Sequence, residues 1–113
     1  MLNTSINAHI GMPSSSLYAA TKGALNTLIR TLSGELIGRG IRVNAVSPGP
    51  IATPLYGMIG MDDEAIKGLI SLIPAKRRGE PGEIAKSVVF LASDESRFTV
   101  GAELTIDGGM STL

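Results

Sequence analysis

The sequence predicts an α/β fold: three parallel strands joined by crossover helices. Three observations carry this. Short β-rich segments alternate with helical ones along the 113 residues, the order that sets parallel strands side by side with right-handed crossovers. The run Ile41-Arg42-Val43-Asn44-Ala45-Val46-Ser47 alternates apolar and polar residues and stops at Pro48-Gly49-Pro50, a strand ending in a rigid loop. Leu25, Leu28, Ile29, Leu32 and Leu36 recur at three and four, an apolar stripe along one helix face.

Taken in order, Leu2 to Ile6 reads as a first strand, and Gly11, Pro13 and Ser14 to Ser16 as the loop after it. One of these serines is placed to cap the helix that follows, from Leu17 to about Ile37. Gly38 and Gly40 end that helix, and the internal Gly23 and Gly34 suggest close packing against another element. The second strand is Ile41 to Ser47. Asp62 or Asp63 caps a short helix running to about Leu72. Pro81 to Ala92 forms another helix, with Pro near its first turn and Ile84, Val88, Phe90 and Leu91 inward. Glu103 to Ile106 is a last strand, closed by Asp107-Gly108-Gly109.

Composition removes several function classes. Ten basic side chains balance ten acidic ones, so the electrostatic footprint of a nucleic-acid binder is missing. There is no cysteine, hence no disulfide, thiolate nucleophile or thiolate-held metal. The single His9 has no clustered partner in the sequence, and no metal site is expected. No apolar run approaches a membrane span, and Met1 to Ser5 lacks a secretory signal pattern. A single domain over 1–113 is expected from the length.

Tyr18 and Lys22 are four apart at the start of the long helix, which brings both side chains to one face. A nearby ammonium favours the phenolate and equips a tyrosine to exchange a proton. Such pairs are more often plain surface contacts. Ser5 lies thirteen positions earlier (18 − 5) at the expected strand end. In a parallel sheet a strand end and the following helix start share an edge. A hydroxyl there serves either to bond a substrate oxygen or to close a turn.

Ser5 followed by Tyr18-Ala19-Ala20-Thr21-Lys22 resembles the Ser and Tyr-x-x-x-Lys signature of classical short-chain dehydrogenases/reductases. Ile41 to Thr53, Arg77 to Ala85, Phe90 to Asp94 and Gly101 to Gly109 resemble later blocks of that family, in the same order. The resemblance covers nearly the whole chain and corresponds to the carboxy-terminal half of the family's Rossmann-like, doubly wound domain, with its fifth, sixth and seventh strands.

The resemblance implies an NAD(P)-dependent oxidoreductase that interconverts a carbonyl and a secondary alcohol. Tyr18 would be the general acid/base, Lys22 its partner and a ligand of the nicotinamide ribose, and Ser5 the group that orients the substrate oxygen. Ile51 would offer backbone contacts to the nicotinamide carboxamide, Thr53 a hydroxyl, and Pro48 and Gly49 would shape the loop beneath the ring. Residues from about 52 to 75 would form the substrate lid. The family's glycine-rich phosphate loop has no counterpart here, nor has the residue that chooses NAD or NADP. The partners implied are a small carbonyl or alcohol substrate and a second copy or a complementing chain, with no nucleic acid and no membrane, in the cytoplasm. The alternative is a non-catalytic fragment or self-associating module without cofactor binding.

Overall fold

Three parallel strands form one sheet in the order β1 (Leu2–Asn3), β2 (Ala45–Pro48), β3 (Glu103–Ile106). The computed structural model describes all 113 residues. Leu2 pairs with Ala45, and Ala45 through Pro48 pair with Glu103 through Ile106. The helices are α1 (Ser16–Leu36), a single turn α2 (Leu55–Met58), α3 (Asp63–Leu72) and α4 (Pro81–Ala92). This is a three-stranded parallel sheet with flanking helices, as expected of part of a Rossmann-like fold.

Part of the α1 stripe, Ile29, Leu32 and Leu36, packs on β2, while Leu28 lies off the buried side and is exposed. Ile29, Val43 and Ala45 make the buried core, with Leu2, Leu32 and Leu36 against it. Burying a side chain such as Ile29 contributes roughly 1.5 to 3 kcal/mol. Ser33, also buried, donates to the Val43 carbonyl at 2.9 Å and fixes the helix to the strand. Beyond α1 a 3₁₀ turn, Ile37–Arg39, ends at Gly40, whose φ of 73° favours glycine.

Both early strands are shorter than the sequence pattern suggests. The first ends at Asn3 because the Ser5 hydroxyl accepts from the Asn7 amide at 3.2 Å and starts a 3₁₀ turn, Ile6–Ala8. The second begins only at Ala45. Before it, the Val43 and Asn44 carbonyls still accept from the Gly101 and Leu2 amides, and side chains add further ties. Arg42 donates to the carbonyls of Leu91, Ser93 and Thr99, and Asn44 bonds the Thr99 carbonyl and the Ala102 amide.

Asp62 caps α3, accepting from the Ala65 amide at 2.8 Å. α4 opens on Pro81 with a reciprocal capping box between Glu80 and Glu83. Ser15 occupies the cap position of α1, but its hydroxyl turns to the Pro13 carbonyl. Phe90 does not point inward. Ile84, Val88 and Leu91 make the packing stripe of α4, and Phe90 lies off it and exposed. Nor are Gly23 and Gly34 tightly packed, since a methyl group at either would meet only open space.

The core is thin. Only 14 of 113 residues are buried, and the radius of gyration is 15.2 Å, against about 13 Å for a closed domain of this length. Both outer edges of the sheet lack a neighbouring strand, and Leu17, Val89 and Phe98 stand exposed.

Candidate active site

A cavity of about 750 Å³ opens beyond the carboxyl ends of β1 and β2, where open parallel sheets bind ligands. Its walls include Ser5, Tyr18, Lys22, Pro48, Gly49, Ile51 and Thr53. The seven residues singled out in the sequence therefore surround one space.

Each has a local reason for its place. The Ser5 oxygen accepts from the Asn7 amide, which leaves its hydroxyl hydrogen to donate. Tyr18 lies in the first turn of α1, half exposed. Lys22, one turn on, donates to the Asn3 carbonyl at 2.9 Å, and its ammonium lies 5.5 Å from the Tyr18 ring centroid. The end of β1 thus anchors the lysine, and the lysine brackets the phenol.

Gly49 has to be glycine for a reason of space. A Cβ there would lie 2.6 Å from Asp107 Cβ and 2.7 Å from its Cα. The loop after β2 therefore runs directly against the end of β3. Burial works against the Asp107 carboxylate, but bonds from the Ser111 hydroxyl and the Ser111 and Gly109 amides outweigh it. They hold its carboxyl below the usual range. Ile51 bridges in parallel to Gly79, and its carbonyl accepts from the Thr53 amide at 2.9 Å. Both residues are thereby held at the cavity rim.

Several polar wall residues were not singled out in the sequence: Asn3, Thr4, Asn7 and Tyr56. Tyr56, on α2, lines the cavity. Burial pushes its phenol up, as does the neighbouring Tyr18, while the Ile51 backbone and Arg78 oppose the shift. α2 has only four residues, too few for a helical period to mark an inward face. Met110 reaches the cavity from the far end of the chain, and only the fold brings it there.

Lys76, Arg77 and Arg78, basic in a row, stay off the cavity wall. Arg77 pairs with Glu83 through two bonds of 2.8 and 2.7 Å. His9 meets one carboxylate, Glu103 at 2.8 Å, and the Asn26 amide. No group of three or more metal-ligating side chains forms, and no helix is long and apolar enough to cross a membrane.

A serine, a tyrosine and a lysine at the mouth of a parallel sheet define a class, and comparison with known proteins agrees with it. The chain belongs to the short-chain dehydrogenase/reductase family, as a partial, carboxy-terminal domain. A family model described as Enoyl-(Acyl carrier protein) reductase matches residues 1–111. Glucose 1-dehydrogenase of Gluconobacter oxydans is 45% identical over 112 residues, 98% of this chain and 42% of that protein. Glucose and ribitol dehydrogenase of Daucus carota is 48% identical over 106 residues, 94% of this chain and 36% of that one. Among solved structures, a short chain dehydrogenase family protein from Francisella tularensis superposes with a TM-score of 0.88 at 35% identity, covering 98% of this chain and 50% of that one. The chain spans less than half the length of these curated relatives.

Proposed function

We propose that this chain carries the catalytic half of an NAD(P)-linked oxidoreductase that interconverts a carbonyl and a secondary alcohol. The observation that supports it most is the gathering of Ser5, Tyr18, Lys22, Pro48, Gly49, Ile51 and Thr53 around one cavity. Family membership adds weight, since the relatives are dehydrogenases by name.

In the reduction direction Tyr18 donates its phenolic proton to the substrate oxygen. Ser5 donates a hydrogen bond to the same oxygen and stabilises the charge that develops on it. Lys22 supplies positive charge beside the phenol and has N–H donors left over from its bond to Asn3. A nicotinamide, when bound, would supply the hydride. The donor set suits that end of a dinucleotide: the Lys22 ammonium, the Thr53 hydroxyl and the Ile51 backbone lie on one wall system with the loop Pro48-Gly49. The phosphate end is another matter, because no glycine-rich loop leads from a strand into a helix in this sequence. That half of the grip, and the choice of NAD or NADP, falls to residues outside this chain. We assign residues 1–113 to one domain and about 52–75 to its substrate lid.

A second function, a non-catalytic self-associating module, is favoured by the open sheet edges and the exposed Val89 and Phe98. One assay separates the two. NAD(P)H-linked turnover of simple carbonyls is followed with the chain alone and with the amino-terminal half of a relative added as a second chain. Turnover that disappears in Tyr18→Phe supports the enzyme. Its absence under both conditions leaves the module.

A further inference from the structure

The same cavity also limits what its substrate can be, an inference that rests on the oxidoreductase assignment. We propose that it takes a neutral, apolar ketone or secondary alcohol and discriminates against carboxylates and polyols.

The walls supply the reason. Leu55, Ile59, Met61 and Leu69 come from the lid segment, Met12 from the loop after Ser5, and Met110 from the final turn. Methionine and leucine offer shape and dispersion but no partner for a charge or a hydroxyl. The lid segment is not poor in charge, yet its charges face elsewhere. Asp62 caps α3, Glu64 pairs with Lys67 at 2.8 Å, and neither they nor Asp63 line the cavity. Arg77 is committed to Glu83 outside the wall set.

One charged side chain remains on the cavity wall, Lys22. It sits at the Tyr18 end, bonded to the Asn3 carbonyl. From the lid segment the wall takes two polar side chains, the Thr53 hydroxyl and the Tyr56 phenol, whose pKa burial raises. A single carbonyl or hydroxyl oxygen has the Ser5, Tyr18 and Tyr56 hydroxyls on the same cavity wall to bond. A second charged or strongly hydrated group, placed among the methionines, loses its water without replacement. The volume, about 750 Å³, is shared by the nicotinamide end and the substrate, and it lies within the range of roughly 300 to 1,000 Å³ typical of small-ligand sites.

The five methionines make the test direct. Met12, Met61 and Met110 line the cavity, whereas Met1 and Met58 do not and act as internal controls. The full chain, with isotopically methyl-labelled methionine, is titrated by NMR with acetophenone, with benzoate of nearly the same shape, and with glucose. Acetophenone should shift the three cavity methyls saturably and leave Met58 in place, with benzoate and glucose at least about tenfold weaker. Benzoate or glucose binding as tightly as acetophenone would overturn the proposal. So would acetophenone moving Met58 as much as the cavity methyls, or moving none of them. Neither cofactor nor turnover enters this readout, so a failure here is separable from a failure of the oxidoreductase assignment.

Discussion

The Lys22 ammonium stands 5.5 Å from the centre of the Tyr18 ring while it donates to the Asn3 carbonyl at 2.9 Å. A strand end, a cation and a phenol are thus held as one unit at the cavity mouth. Removing the phenolic oxygen should leave this scaffold standing. Tyr18→Phe is expected to lower turnover of the complemented enzyme by roughly 100- to 10,000-fold, the usual worth of a general acid. Lys22→Met should lower turnover and weaken cofactor binding together. Steady-state kinetics with parallel cofactor titrations check both.

Arg42 ties the start of β2 to the end of α4. Its guanidinium donates to three carbonyls, Leu91, Ser93 and Thr99, and to the Ser96 hydroxyl. Arg42→Ala should destabilise the fold by about 2 to 3 kcal/mol, because charged hydrogen bonds are lost and acceptors are left behind. Urea denaturation measures it, with Arg39→Ala, exposed in the 3₁₀ turn after α1, as the comparison.

Glu83 provides a pH dependence. Its bonds from Arg77 and from the Glu80 amide lower its pKa from 4.5 to about 2. A carboxyl depressed in the folded chain stabilises the fold above its ordinary pKa and loses that contribution as pH falls through the folded value. Glu83→Gln keeps an acceptor for the Glu80 amide but removes the charge. The Tm gap between wild type and variant should therefore be present at neutral pH and shrink as pH falls from 4.5 toward about 2. The pair is exposed, so the gap should also shrink in high salt.

Unpaired sheet edges and exposed apolar side chains predict self-association. Light scattering at micromolar concentration should give a mass above the 11.7 kDa monomer. Phe98→Asp, at a fully exposed position, should lower that mass without unfolding the chain. A monomer alone in the unmodified protein would contradict the prediction.

Much of this was legible in the sequence where the signal is local. β3, α4 and the Asp62 cap of α3 fall where period, proline and capping residues place them. Strand length was less legible. Ile41 to Asn44 carries a strand pattern, but Arg42 and Asn44 spend their side chains on the 91–102 turn. Phe90 shows that hydrophobicity alone does not give direction, since it lies beside the inward stripe of α4. Gly23 and Gly34 face open space, so their role in packing does not arise within one copy of this chain. Tyr56 and Met110 reach the cavity through tertiary placement, for which a four-residue turn and a terminal loop leave no periodic trace.

The measurement that bears most directly on the account is a fluorescence titration of the purified chain, complemented with the amino-terminal half of a relative, with NADH and NADPH. Saturable binding that weakens in Lys22→Met and persists in Tyr18→Phe is the predicted result, because on the proposed assignment Lys22, Ile51 and Thr53, which line the cavity, hold the nicotinamide end. No binding of either cofactor up to millimolar concentration would contradict it and leave the serine, tyrosine and lysine without a reaction to catalyse in this chain.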